Sequence, residues 1–260
     1  MSSPLTGPAS TPPALPQVRR VPLAAPLRWL ARGAADLRAH PGIAAFYGCC
    51  FWAMAATLGW VFRHSPEYTM TIVSGCLLVG PFLAMGLYEV SRHRELGTAP
   101  SLADSLTCWD RHLGSMGLLV LVLTVLELLW GRASLVVFAV FFDTGMPSTA
   151  SVLDAVFNPR NWEFLAVNLT VGSVFAGPVF CTTAVSIPMI LDRDTDAITA
   201  GLTSFAVVLE NLPALLFWGL LVVVLTLLAL WPWGAGVLVV GPWLGHATWH
   251  AYRDAVGWPA

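Results

Sequence analysis

The sequence predicts an all-α integral membrane protein, a bundle of about six transmembrane helices arranged as three helical hairpins with interfacial amphipathic helices. Hydrophobic residues make up 57% of its 260 residues, and charged residues only 11%. Soluble domains carry about 25% charged residues, so this chain has too few charges to cover a water-facing surface. Its apolar runs also reach the length of about 20 residues that a helix needs to cross a bilayer.

The chain begins with a leader over residues 1–25, which we expect to be disordered and cytoplasmic. This segment is rich in Pro, Ser and Thr, and it lacks the early apolar segment of a signal peptide. The remaining residues, 26–256, are predicted to form one membrane domain.

Six apolar runs are predicted to span the membrane. They cover residues 44–62, 68–90, 113–130, 163–190, 213–231 and 235–252. The fourth run is long, so we expect it to tilt or to protrude. The short apolar stretch 134–142 is either an extension of the third span or a surface or re-entrant segment packed on the bundle.

The distribution of arginine predicts the orientation of the spans. If both ends of the chain lie in the cytoplasm, ten Arg residues face inward and three face outward, as the positive-inside rule requires. The inward residues would be Arg19, Arg20, Arg28, Arg32, Arg38, Arg92, Arg94, Arg111, Arg193 and Arg253. The net charge is −2, which predicts no nucleic-acid partner. The predicted partners are the lipid bilayer and another membrane protein.

A Gly-x4-Gly-Pro pattern occurs in every second span. Its three copies are Gly75, Gly80 and Pro81, then Gly172, Gly177 and Pro178, then Gly236, Gly241 and Pro242. An amphipathic segment precedes each pair of spans, beginning at Pro26, Ser101 and Asp194. The pattern predicts three internal repeats of an interfacial helix, a span and a Gly-Pro span.

The Gly-Pro pattern has two structural consequences. Proline kinks a helix and frees a backbone carbonyl one turn earlier, and glycine lets a neighbouring helix approach closely. Three kinked helices could therefore meet around one axis. The centre of the bundle is then either tightly packed or a gate along a substrate path.

Three segments resemble the bacterial domain-of-unknown-function family 2189. They are GPFLAMGLYEVSR at 80–92, SIPMILDRDTDAITAGLTS at 186–204 and GPWLGHATWHAYRD at 241–254. The resemblance extends over roughly residues 26–256 and implies a multi-pass protein of the bacterial inner membrane. Some members are labelled as subunit I of cytochrome c oxidase. That catalytic subunit needs more spans and more intramembrane histidines than this chain holds, so the label implies at most an association with an oxidase.

His246 and His250 are the best candidates for a site with chemistry. They lie four residues apart, and hence on one face of the last span, where two imidazoles could bind a metal ion or contact a haem. A metal would need further ligands. The repeat suggests a polar layer of Glu89, Ser186 and His250 near the cytoplasmic side. The alternative is that both histidines hydrogen-bond to neighbouring helices and fix their packing.

Glu127 is an acidic residue inside the third span, where an ionisable side chain is costly unless it is paired or hydrated. Arg132 or the membrane interface is the predicted partner, and a role in proton relay is the alternative. The acidic residues Asp192, Asp194 and Asp196 begin like a calcium loop, but the required Gly and closing Glu are missing. They are predicted to mark a helix N-terminus.

The sequence favours a protein without a catalytic site, because it contains no motif of the common hydrolase, zinc-protease or nucleotide-binding types. The first hypothesis is an accessory, assembly or scaffold subunit of a membrane complex, with a respiratory oxidase as one candidate. The second is a transporter or channel with a path between the kinked helices. The third is a protein that handles metal or haem through His246 and His250; no cofactor is otherwise predicted.

Overall fold

The structure is a computed structural model, and it describes residues 15–65, 68–142, 158–231 and 233–259. Most of the predicted leader lies outside the described residues. Within them the chain forms ten α-helices and two short strands. The helices are α1 (Ala25–Ala39), α2 (Pro41–His64), α3 (Thr69–Glu95), α4 (Leu102–Thr107), α5 (Leu113–Phe141), α6 (Trp162–Thr183), α7 (Ser186–Arg193), α8 (Ala197–Glu210), α9 (Leu212–Leu230) and α10 (Val237–Ala255). This architecture confirms the all-α membrane bundle.

In the described residues, five helical segments are long and apolar enough to cross a membrane. They are Pro41–His64, Thr69–Glu95, Leu102–Phe141, Trp162–Arg193 and Leu212–Leu230. The sixth predicted span forms α10, which is long enough to cross a membrane, but its most apolar stretch is less apolar than those of the other five. The reason lies in its second half, where His246, His250, Arg253 and Asp254 replace aliphatic residues. These polar side chains are buried against protein or pair with other charges.

The fourth predicted span differs in detail from the sequence expectation, and the structure decides between the two alternatives for the stretch 134–142. The long fourth span breaks into α6 and α7 instead of continuing as one helix, with Ala184 and Val185 between them. The backbone N–H of Val185 donates to Ser204 Oγ at 3.2 Å, which satisfies a group that the break frees. The stretch 134–142 continues α5 as far as Phe141, so the first of its two predicted alternatives holds.

The amphipathic helices α1, α4 and α8 follow the predicted start signals. Ser101 caps α4 by accepting the backbone N–H of Asp104 at 3.3 Å. Asp196 caps α8 by accepting the N–H groups of Ile198 and Thr199 at 3.0 and 2.9 Å. Helix α8 is too short to span a bilayer, and its apolar face is exposed. That face comprises Ile198, Leu202, Phe205 and Leu209.

Helix α10 lies at the centre of the packing, against α1, α2, α3 and α9. Small residues allow this close approach. A Cβ added at Gly33 in α1 would lie 2.7 Å from the backbone nitrogen of Ala247, well inside van der Waals contact. A Cβ added at Gly48 in α2 would come still closer to the backbone carbonyl oxygen of Leu238. Glycine at these two positions therefore sets the distance between the helices.

The two ends of the described chain meet in a small antiparallel sheet. Strand β1 (Gln17–Val18) pairs with β2 (Val256–Gly257), with Gln17 opposite Gly257. The N–H of Arg19 extends the pairing by donating to the carbonyl of Ala255 at 2.8 Å. Both ends of the described chain therefore lie at the same end of the bundle.

Candidate functional site

The two histidines singled out in the sequence are both buried, with 1% of His246 and 7% of His250 exposed. His246 Nδ1 lies 2.8 Å from Ser91 Oγ in α3. His250 Nε2 lies 2.9 Å from Asp36 Oδ2 in α1. The face of α10 that carries both histidines thus binds to two other helices.

Asp36 is the centre of this arrangement. Its Oδ2 accepts hydrogen bonds from Ser91 Oγ at 2.7 Å and from His250, and its Oδ1 accepts from Arg94. Only 3% of Asp36 is exposed. The residue is buried because it continues the face of α1 formed by Trp29 and Gly33, which packs on α10. We call Asp36, Ser91, Arg94, His246 and His250 the Asp36 cluster.

The hydrogen positions in the Asp36 cluster follow from counting donors. Asp36 is ionised and can only accept, so the single hydroxyl proton of Ser91 points to Asp36. The Ser91 oxygen then accepts from His246, which places a proton on Nδ1 of that ring. His250 donates from Nε2. These assignments come from the hydrogen-bond network, and they give every bond in the cluster a donor and an acceptor.

The environment of Asp36 keeps its carboxylate ionised. Burial raises the pKa of Asp36, but the hydrogen bonds from His250 and Ser91 outweigh burial and hold the pKa below its ordinary value of 3.8. The charge of Arg94 balances the carboxylate. The side chain of Arg94 is 39% exposed, so the cluster reaches the protein surface there. A pocket of about 260 Å³ opens at this point.

A second ionic network joins α3, α7 and α10. Asp192 accepts from Tyr252 Oη at 2.7 Å and from Arg253 Nη1 at 3.4 Å, and it lies 3.6 Å from Arg92 Nε. Arg92 also pairs with Glu89 at 3.1 Å. Asp192 was predicted only as part of a charged helix start, whereas the structure makes it the hub of a network.

Among the described residues, the three members of the predicted polar layer are not joined: Glu89 and His250 belong to different networks, and Ser186 belongs to neither. Glu89 pairs with Arg92 and with His93 Nε2, at 3.1 Å in each case, while His250 binds Asp36. Ser186 is fully buried, and its hydroxyl has no hydrogen-bond partner in the described part of the chain. Within that part, no hydrogen bond or ion pair joins Glu89, Ser186 and His250 to one another.

The three prolines of the Gly-Pro pattern all lie inside helices, in α3, α6 and α10. Their glycines differ in environment. A Cβ added at Gly241 would lie 2.9 Å from Phe51, and one at Gly236 would lie 2.6 Å from Ala229. A Cβ at Gly172 would meet only Trp130, at 3.7 Å. The remaining glycines have open space around the added atom: Gly75, Gly80 and Gly177.

Sequence reasoning missed three members of the Asp36 cluster. Asp36 and Ser91 were not singled out, and Arg94 was counted only among the arginines predicted to face the cytoplasm. One available signal was the pair His246 and His250 itself, because two buried imidazoles require partners. In the residues that the structure describes, no group of three or more His, Cys, Asp or Glu side chains is arranged to hold a metal ion.

Comparison with known proteins gives one match. The model of a family described as "Predicted integral membrane protein (DUF2189)" matches residues 69–192. No curated protein and no solved structure matches the chain. The matched residues run from the start of α3 into α7 and include Ser91 and Arg94, whereas Asp36 and both histidines lie outside them. Over residues 69–192, therefore, the chain is similar to a family of integral membrane proteins.

Proposed function

We propose that the chain is a non-catalytic component of a larger membrane complex, an accessory, assembly or scaffold subunit. The observation that carries the proposal is the Asp36 cluster. Its polar side chains lie in the interior of the protein, and they bind one another instead of presenting a reactive group. A buried network of this kind fixes one arrangement of helices.

The geometry of the cluster argues against nucleophilic catalysis. A catalytic serine donates its hydroxyl to a base that can take up the proton. Ser91 donates instead to Asp36, whose lowered pKa makes it a weak base, and the imidazole of His246 donates to Ser91 rather than accepting from it. Ser91 is also only 1% exposed. Both histidines are held by these same groups, His246 by Ser91 and His250 by Asp36. The cluster is thus suited to holding α1, α3 and α10 together.

The orientation predicted from the sequence would form a platform on the cytoplasmic side of a bacterial inner membrane. The pairing of β1 with β2 places the two ends of the described chain together, and the excess of Arg favours the cytoplasmic side for them. Helix α1 and the exposed face of α8 would then lie along the membrane interface. A partner would bind across this platform or along the apolar spans.

The test is gentle extraction of the tagged full-length chain after cross-linking in native membranes. We expect one membrane protein to co-purify in constant stoichiometry, and mass spectrometry would identify it. Asp36→Asn should lower the recovery of this partner at least fivefold. Glu210→Gln should not, because Glu210 belongs only to an exposed ion pair with Arg20.

Other outcomes would contradict the proposal. A wild-type chain that cross-links to nothing and purifies as a single species is not a subunit of a stable complex. An absorption band of haem, or a bound metal that is lost in His250→Ala, would instead favour the cofactor hypothesis.

A second candidate function, transport, is favoured by one specific observation. A cavity of about 550 Å³ lies between α3, α5 and α6, two of which carry the Gly-Pro pattern. We call it the α3–α5–α6 cavity. If solutes pass near the kinks, Gly80→Leu should abolish their flux into proteoliposomes without loss of folded protein. Gly80 is a better site than Gly241, because Leu at Gly241 would clash with Phe51.

A further inference from the structure

The α3–α5–α6 cavity contains a single acidic side chain that lacks a full set of partners. Glu127 lies in its wall and is only 7% exposed. Its Oε2 accepts a hydrogen bond from Ser74 Oγ at 2.8 Å. Its Oε1 is buried and has no hydrogen-bond partner among the described residues. One carboxylate oxygen in the cavity wall is thus left unsatisfied.

An unpaired carboxylate is unfavourable in this environment. Removing it from water without a counter-charge costs several kcal/mol or more, and the remainder of the wall is mostly aliphatic and aromatic. The predicted partner, Arg132, forms no ion pair with Glu127 in the described part of the chain; Ser74 takes that place. The hydroxyl of Ser74 does not neutralise the negative charge of Glu127, so this carboxylate can still pair with a cation.

The other walls of the cavity define what kind of cation fits. Leu77, Leu123 and Val179 provide aliphatic surface, and Trp130 and Phe175 provide aromatic surface. Aromatic faces attract cations that carry little water. Calcium and magnesium require six or more oxygen ligands, which this wall lacks, and anions would be repelled by Glu127. The volume falls within the usual range of small-molecule sites.

The depth of the site suits a ligand that enters from the lipid. Ser74 lies five residues into α3, hence about 8 Å from the start of that helix. Glu127, which binds Ser74, lies at the same depth. Leu169 in α6 lines the cavity and is 60% exposed, so the cavity opens on the outer surface of the bundle. A lipophilic cation dissolved in the bilayer could therefore reach the cavity without crossing water.

We propose that the α3–α5–α6 cavity binds lipophilic monovalent cations, with Glu127 as the counter-ion and Trp130 and Phe175 as aromatic walls. The site is separate from the Asp36 cluster. It does not depend on the proposed scaffold function, because a subunit of a complex and a carrier could both hold such a ligand.

The test uses two probes of the same shape and opposite charge. Tetraphenylphosphonium is a bulky aromatic cation, and tetraphenylborate is its anionic counterpart. We expect radiolabelled tetraphenylphosphonium to bind the purified full-length chain saturably, with one site per chain, in equilibrium dialysis. Tetraphenylborate should not compete for this site. Equal binding of both probes would show an apolar crevice without a counter-ion and would overturn the proposal.

Three variants locate the binding site. Glu127→Gln keeps an acceptor for Ser74 but removes the charge, and it should weaken tetraphenylphosphonium binding at least tenfold. Gly172→Leu should abolish binding by filling the cavity, because a Cβ there meets only Trp130 at ordinary contact distance. The control is Glu163→Gln, which removes an exposed carboxylate at the start of α6. It should bind as the wild type does.

Size-exclusion profiles and unfolding temperatures would verify that each variant is folded. Absence of saturable binding by folded wild-type protein would overturn the proposal. So would unchanged binding in both Glu127→Gln and Gly172→Leu, or an equal loss in Glu163→Gln. If Glu127→Gln does not fold, the result with Gly172→Leu decides.

Discussion

At the scale of single residues, Asp36 connects α1 to α3 and α10 because it receives hydrogen bonds from three side chains. Ser91, Arg94 and His250 all donate to it. An amide in its place would direct an NH₂ group at one of these donors. The cost of such a change is large when the group is buried and its former partner keeps a charge.

We predict that Asp36→Asn lowers the free energy of unfolding by about 3 kcal/mol. Thermal unfolding in detergent would measure the change. Glu210→Gln serves as the control, since exposed ion pairs contribute about 0–1 kcal/mol. Equal unfolding temperatures for the two variants would show that the Asp36 cluster does not stabilise the protein.

The lowered pKa of Asp36 also predicts a dependence of stability on pH. A carboxylate whose pKa is lower in the folded state stabilises that state at pH values above the pKa that it has in the unfolded chain, near 3.8. The stabilisation is lost as the pH falls through the lower, folded value. We expect wild-type stability to fall more steeply below about pH 4 than that of Asp36→Asn. Parallel curves for the two proteins would contradict this assignment.

The sequence identified the two histidines but not the residue that binds one of them. His246 and His250 are polar residues in an otherwise apolar run, so they attract attention. Asp36 lies on an amphipathic helix, where an acidic residue is ordinarily exposed. Its partner His250 is 214 positions away, and no local pattern reports such a contact. Hydrogen bonds between distant helices could not be predicted for this reason.

At the scale of helices, spacing depends on particular glycines. Gly33→Ala would place a Cβ against the backbone of Ala247, which cannot move aside as a flexible side chain can. We predict a loss of about 1–3 kcal/mol in the free energy of unfolding. Gly42→Ala is the matched control, because an added Cβ at Gly42 meets nothing within 4 Å. It should gain up to about 1 kcal/mol, as measured by the same thermal unfolding.

Helix starts were predictable, whereas the break after α6 was not. Ser101 and Asp196 have the side chains that cap helices, and both act as caps. Ala184 and Val185 carry no such signal, since both continue an apolar run. At the break Ser204 accepts the N–H of Val185, and that is a contact between separate elements which no local pattern reports.

At the scale of the whole molecule, the pairing of β1 with β2 bears on the number of membrane crossings. Two ends on one side require an even number, yet only five segments of the described chain are apolar enough to span unaided. Helix α10 would supply the sixth crossing, with its polar residues shielded by α1, α2 and α3. This agrees with the six spans expected from the sequence.

We predict that Arg20→Cys and Pro259→Cys, each in a variant without the five native cysteines, resist a membrane-impermeant thiol reagent in intact cells. Trp233→Cys should react, because it lies between α9 and α10 and is 82% exposed. Labelling after cell lysis provides the control for accessibility. Reaction of only one of the two terminal positions in intact cells would mean an odd number of crossings.

The position of α10 also has a consequence for biosynthesis. A ribosome makes α1 well before α10, so Asp36 and Trp29 are synthesised long before their partners His250 and Asp254 exist. The earlier spans can insert by hydrophobicity alone, but the hydrogen bonds between α1 and α10 cannot form until α10 has been made. A chain truncated before Val237 would retain its most apolar spans but lack the hydrogen bonds that α10 makes to α1. Membrane proteases that monitor assembly could recognise such a product by its unpaired polar groups.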